Sequence, residues 1–214
     1  AKLKDGKCWM TQNLRLQLKT DKVLTPEDSD IQQNWTPNRS TELTLQGRWD
    51  QDPEGYKTVR SYYNQITSEY GVYYTHTAAT AGTGAAVNTK GQDAPGSICP
   101  KGWRLPSVGN VLNYTNNYFY NLMEKYKGSM VWDSDLRWRH GFHEMKGVPQ
   151  NFVYSGYRNY SSTDMVRIGL TGYYISSTVK SGEEAYLMGL NDETLDPMYS
   201  NNRHIGASIR CVAR

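Results

Sequence analysis

Residues 98–106 read Ile98-Cys99-Pro100-Lys101-Gly102-Trp103-Arg104-Leu105-Pro106, and the fold is decided around them. Pro100 and Gly102 mark a turn, Trp103-Arg104-Leu105 alternates out of it like a strand, and Pro106-Ser107 offers a helix start with Ser107 as N-cap. Beyond it Val108, Val111, Leu112, Thr115, Phe119, Leu122, Met123 and Tyr126 repeat at i, i+3, i+4 and i+7, and Lys127-Gly128 supplies a stop. The spacing predicts one amphipathic helix over 107–127. Its asparagines at 110, 113, 116, 117 and 121 are poor helix formers, so the helix must be held by docking its stripe onto a sheet.

Working outward, residues 2–18 read as two extended pieces, with Leu14, Leu16 and Leu18 alternating in the second. From Lys19 to about Gly55 the chain is polar and irregular, and 56–66 fits either strand or helix. Residues 70–76 form a β-branched and aromatic strand that runs into a small-residue loop ending at Gly96. After the central helix, 130–146 reads as a short second helix or an irregular excursion. Four late strands are expected at 152–157, 172–177, 185–190 and 205–212, with Asn/Ser/Gly-rich turns between them. The layout predicts an α+β fold in a single domain, 1–214, with loop-rich insertions at 19–69 and 77–97. Trp9, Trp103, Leu105, Leu112, Phe119, Leu122 and Ile209 are the expected core.

Composition narrows the function. The chain has 17 Tyr against 3 Phe, so most of its aromatic mass carries a hydroxyl that seeks water or a partner. Tyr with Asn, Ser and Gly is the vocabulary of binding surfaces built from rigid rings and adaptable hydrogen-bonding groups; it also suits a half-exposed sheet. A net charge of +3, from 24 basic and 21 acidic residues without a block of one sign, does not point to nucleic acid. No run of about 18 apolar residues predicts membrane insertion, and any export signal or anchor is expected outside this segment. Cys8, Cys99 and Cys211 lack CxxC spacing and imply one disulfide plus one thiol.

Sites of chemistry are sparse. His140 and His143 beside Glu144 have spacing that could begin a metal site, but the order is not HExxH and no third ligand is evident. A polar surface turn is the expectation there. Asn191-Asp192 offers oxygen ligands for calcium or, more simply, a hairpin turn. No catalytic motif is visible, and no cofactor is expected.

Several strings, in order, carry a family resemblance: DGKCWMTQNL (5–14), TPEDSD (25–30), YGVYYTHTAATAGTG (70–84), ICPKGWRLPS (98–107), SGYRN (155–159), GYYISST (172–178), EAYLMGL (184–190) and GASIRCVA (206–213). Together they resemble the Fibrobacter succinogenes major paralogous domain of secreted and surface bacterial proteins. That family is similar to the C-type-lectin-like fold in the form shared with formylglycine-generating enzymes.

The resemblance implies an extracellular or cell-surface setting. It also implies a Cys99–Cys211 disulfide with Cys8 as a buried thiol, Cys8–Cys211 being the rival pairing. The enzyme activity would need a pair of reactive cysteines near the C-terminus, where only Cys211 stands. Three departures are notable. Tyr174-Ile175-Ser176-Ser177 and Gly206-Ala207-Ser208-Ile209-Arg210-Cys211 lack aromatics that the family usually carries, and Thr75-His76 stands where Asn-Trp is common.

C-type-lectin-like targets of diversity-generating retroelements are rewritten at adenine-containing codons in their terminal third. Ile175, His204, Ile205, Ala207 and residues 160–164 belong to the set such rewriting reaches. The implied function is a non-enzymatic module that holds a protein or glycan on another cell or surface. Tyr157, Asn159, Tyr160, Tyr173, Ile175, Asn202, His204 and Ala207 are expected to form one exposed ligand face. A structural surface or stalk domain is the alternative, followed by a formylglycine-generating-like enzyme.

Overall fold

The computed structural model describes residues 1–15, 23–24, 43–44, 61–63, 70–81, 83–110, 112–126, 131–132, 138–139, 143–159 and 165–214. In chain order the strands are β1 (Val23–Leu24), β2 (Leu43–Thr44), β3 (Ser61–Tyr63), β4 (Val72–Tyr74), β5 (Trp103–Arg104), β6 (Val131–Trp132), β7 (Trp138–Arg139), β8 (Tyr157–Arg158), β9 (Met165–Val166), β10 (Thr171–Val179), β11 (Glu184–Asn191), β12 (Thr194–Asn202) and β13 (Val212–Ala213). The α-helices are α1 (His76–Ala79), α2 (Tyr118–Tyr126) and α3 (His143–Lys146), and a 3-10 turn spans Thr83–Ala86. Few short helices beside several antiparallel sheets make this an α+β protein. The main sheet runs β10-β11-β12-β7-β6.

β10 and β11 separate two cores, because successive side chains along a strand point to opposite faces. Tyr173, Ile175 and Leu187 join Leu14, Val72, Tyr74, Ile98, Leu105, Ala207 and Ile209 on one side. Tyr174, Met188 and Leu190 join Trp9, Phe119, Leu122, Met145, Phe152 and Val212 on the other. A sheet covered on both faces buries both of its side-chain sets, and all nine residues of β10 are buried. The residues expected in one core divide between the two: Leu105 and Ile209 are buried in the first, with Trp103 half-buried against it, and Trp9, Phe119 and Leu122 are buried in the second.

Leu112 is the exception, 86% exposed, because the predicted 107–127 helix forms only over α2. Gly109, Tyr114 and Asn116 adopt φ of +65°, +58° and +63°, left-handed values that no α-helix can contain. A side chain at Gly109 would meet the Thr115 carbonyl oxygen at 2.3 Å. The asparagines close turns instead: the Leu112 amide donates to Asn110 Oδ1 at 2.8 Å and the Thr115 amide to Asn113 Oδ1 at 3.1 Å. The helix cap is Asn117, whose Oδ1 accepts from the Tyr120 amide at 2.9 Å. Ser107 does not cap it; its Oγ accepts from the Gly109 amide at 2.8 Å and donates to Asp93 Oδ2 at 2.7 Å.

Other elements shift in similar ways. The 130–146 stretch carries the β6–β7 hairpin ahead of the one-turn α3. β12, expected as turn, is a nine-residue strand, and its register against β11 slips between the Leu187↔Tyr199 and Gly189↔Asp196 pairs, next to Pro197. The predicted 205–212 strand changes partners along its length. Ala207 bridges Tyr74, Ser208 bridges Tyr174, and Val212 bridges Trp9 and pairs with Arg104. The first residues therefore lie beside the last.

Two fastenings hold this crossing. Cys99 and Cys211 form a disulfide with a Cα–Cα distance of 5.9 Å, as expected, whereas Cys8 is exposed rather than buried. Cys8 lies on a short bridge with Lys2 at the molecular edge, where its neighbour Trp9 takes the inward position. Arg210, 1% exposed, donates from Nε to Asn13 Oδ1 at 2.6 Å, from Nη1 to the Met10 and Gln150 carbonyls at 3.0 and 2.7 Å, and from Nη2 to the Asn151 carbonyl. Its guanidinium also lies over Phe152, 4.8 Å from the ring centroid. A buried charge is tolerated here because its donors are met by backbone dipoles from separate segments.

Candidate functional site

The late segments converge. The Arg158 amide donates to the Gly206 carbonyl at 2.8 Å and the Gly206 amide donates in return to the Arg158 carbonyl at 2.9 Å, which fixes β8 beside 204–207. The Ser208 amide donates to the Tyr173 carbonyl at 3.0 Å and the Ile175 amide to the Ser208 carbonyl at 2.9 Å, which ties β10 to the same segment. Residues separated by up to about fifty positions in the chain thus share one neighbourhood, and the force that assembles it is main-chain pairing.

At its centre lies a tyrosine cluster. Tyr157 meets Tyr173 edge-on at 5.4 Å between centroids, and Tyr173 stacks on Tyr199 at 4.9 Å and 19°. Gly189 makes the stack possible, since a Cβ there would meet Tyr199 Cβ and Cγ at 3.0 Å. Burial, then a hydrogen bond with Tyr199, pushes the Tyr173 phenol well above its ordinary range, so it stays protonated. Tyr157, Arg158, Asn159, Tyr199, Asn201 and Asn202 are half-buried around it.

The expected exposed face therefore needs correction. Tyr173, Ile175, His204 and Ala207 are only 7%, 1%, 8% and 0% exposed. Ile175 and Ala207 point into the first core because the 207–208 stretch pairs along the free edge of β10 and turns the same face inward, where Leu14, Val72, Tyr74, Ile98 and Leu105 cover it. Tyr160 lies outside the described residues, as does His140 of the proposed metal pair. Tyr157, Asn159 and Asn202 keep partial exposure, and Tyr199, which sequence reading passed over, stands with them. Its strand was hidden by Pro197 and by the Asn201-Asn202 pair, which read as turn.

At the β10–β11 turn lies a second buried arginine. Arg203 donates to the carbonyls of Gly84 at 2.9 Å and of Val87 and Ser181 at 2.5 Å each, clamping the 84–87 turn to the β10–β11 hairpin. His76 packs nearby, its amide on the Arg203 carbonyl at 2.9 Å. Burial first, and the Arg203 charge second, lower the His76 imidazole from 6.5 to about 3; the backbone of Ser177 and Ser176 opposes the shift. It is neutral at any physiological pH. Neither ring nitrogen reaches full hydrogen-bond geometry with a described residue.

Chemically, the surface offers rings, amides and a guanidinium, which bind. Among the described residues no group of three His, Cys, Asp or Glu side chains is placed to hold a metal ion, and no helix is long and apolar enough to cross a membrane. Asn191 forms a hairpin turn, its Oδ1 accepting from the Glu193 and Thr194 amides at 2.8 and 2.7 Å. Comparison with known proteins finds no matching family, no matching curated protein and no matching solved structure.

Proposed function

We propose that this chain is a non-enzymatic ligand-binding module of the C-type-lectin-like kind, displayed on a cell surface, that holds a protein or glycan with its late strands. The observation that carries this reading is the convergence of 157–159, 173 and 199–206 around the Tyr157–Tyr173–Tyr199 cluster. Two half-buried rings braced by a buried third give contact area at little entropic cost, and Arg158, Asn159 and Asn202 border them with polar groups. The contact is assigned to Tyr157 and Tyr199, with Tyr173 as support, and Asn159 and Asn202 at the margin. Positions 159 and 202 are also those where diversification of the terminal segment would alter the ligand without touching the core. A formylglycine-type reaction is disfavoured because Cys211 is tied to Cys99, which leaves Cys8 as the lone thiol.

The test is to screen the labelled 214-residue chain against arrays of glycans and of cell-surface proteins, then to repeat any hit with Tyr157→Ala and Tyr199→Ala. Each variant should weaken capture by about tenfold or more while melting like the parent. Capture indifferent to both rings, or no saturable capture at all, refutes the assignment.

A further inference from the structure

Away from the tyrosine cluster, a cleft of about 360 Å³ opens between the 93–97 loop, β5 and the end of β10. Its size is at the lower end of small-molecule sites, which suits a ligand of monosaccharide dimensions. Asp93, Ser97, Arg104, Ser107, Ser177 and Arg214 supply its polar lining. Arg104 and Arg214 bring two guanidinium groups to the same cleft as the Asp93 carboxylate.

The cleft is rigid. Asp93 accepts hydroxyl hydrogen bonds from Ser107 at 2.7 Å, from Ser177 at 3.1 Å and from Thr178. The Ala94 amide donates to the Ser177 carbonyl at 2.8 Å and the Ser177 amide to the Pro106 carbonyl at 2.9 Å, so three segments are laced into one wall. The Cys99–Cys211 bond anchors the chain just beyond Ser97.

What remains unspent in this wall describes the ligand. Arg104 is half-buried in the cleft lining and lies over the Tyr118 ring, 4.7 Å from its centroid. A guanidinium braced on an aromatic face, and not neutralised by a carboxylate, is suited to accept one bidentately. Ser97 Oγ already accepts from the Cys99 amide at 2.9 Å, which leaves its proton for a ligand oxygen. Ser107 and Ser177 have spent their hydroxyl protons on Asp93, and their oxygens and the Asp93 carboxylate retain acceptor lone pairs, which suit hydroxyl groups. A bare anion would leave these acceptors idle and would face the Asp93 charge; a neutral sugar would leave Arg104 unpaired.

We propose that this cleft binds a small carboxylate-bearing polyol of the uronic-acid class, with the carboxylate on Arg104 and the hydroxyls on Ser97, Ser107, Ser177 and Asp93. The site is independent of the tyrosine cluster.

The experiment is an NMR titration of the isotope-labelled 214-residue chain with sodium glucuronate, with glucose and sodium acetate as separate arms. Glucuronate should give saturable shifts at Gly96, Ser97, Leu105 and Ser107 with a Kd of about millimolar, as expected for so small a ligand. Glucose and acetate should bind about tenfold or more weakly, and Arg104→Gln should weaken glucuronate by about tenfold or more. Arg104→Lys keeps the charge without the planar fork and should lose about threefold, which keeps the test open if the glutamine variant misfolds. Equal binding of acetate reduces the cleft to an anion site and overturns the proposal. So do equal binding of glucose, unchanged binding by the lysine variant, shifts confined to Tyr157 and Tyr199, or no saturable shift.

Discussion

Acidification should destabilise this protein through His76, and the size of the effect can be worked out. The imidazole is fully buried beside the Arg203 charge, so its pKa is about 3 in the folded chain against 6.5 when exposed. Between those values the unfolded chain binds a proton that the folded chain refuses, so stability contributed by neutral His76 is complete above pH 6.5 and is lost as pH falls. Each pH unit costs about 1.4 kcal/mol, and about pH 4.5 lies two units below 6.5, which gives about 3 kcal/mol. That is a large share of the stability of a typical domain. The assay is urea unfolding near pH 7.5 and pH 4.5 for the parent and for His76→Leu, which removes the proton site and leaves an apolar side chain of similar reach. Carboxylates titrate in both proteins, so the parent should lose about 3 kcal/mol more than the variant over this range. Equal losses would show that His76 gains a proton without penalty, and the burial argument would fail.

Three further outcomes follow from the crossing of the termini. Opening the disulfide with Cys99→Ser and Cys211→Ser together should cost up to about 5 kcal/mol, the loop entropy expected for a separation of 112 residues, measured by chemical denaturation. In the folded parent a maleimide should label Cys8 alone, read by mass spectrometry; two or three labels would contradict the pairing. Arg210→Met should destabilise by about 3–5 kcal/mol, because four acceptors on two segments lose their donor at once, and a change below about 1 kcal/mol would refute the clamp.

Where the chain's own chemistry imposes a local answer, reading it in order succeeds. The strand-like runs at 172–177 and 185–190, set off by Asn/Ser/Gly-rich turns, mark β10 and β11, and the apolar periodicity of Phe119, Leu122, Met123 and Tyr126 marks the buried face of α2. Periodicity alone, however, extended that helix across 107–117, where Gly109 and a series of asparagines satisfy the backbone locally in turns. A stripe of apolar residues reports which positions would share a face if a helix formed, and it is silent on left-handed residues that forbid one. Cys99 and Cys211 were paired from family resemblance; spacing leaves the choice open, and the chain crossing that brings them together is a tertiary fact.

The site divides in the same way. Tyrosine and asparagine enrichment in 157–164, 173–175 and 202–207 points to a face rich in rings and amides, and main-chain pairing of Arg158 with Gly206 and of Tyr173 with Ser208 does bring the described parts of these segments together. Which side chains look outward depends on what lies over the sheet. Leu14, Val72, Tyr74, Ile98 and Leu105 cover the face that Ile175 and Ala207 share, while the register slip in β12 sets Tyr199 over Gly189. Composition and periodicity belong to a residue and its near neighbours, and so they are legible in one dimension. Exposure belongs to the packing of segments far apart in the chain, and only the folded arrangement decides it.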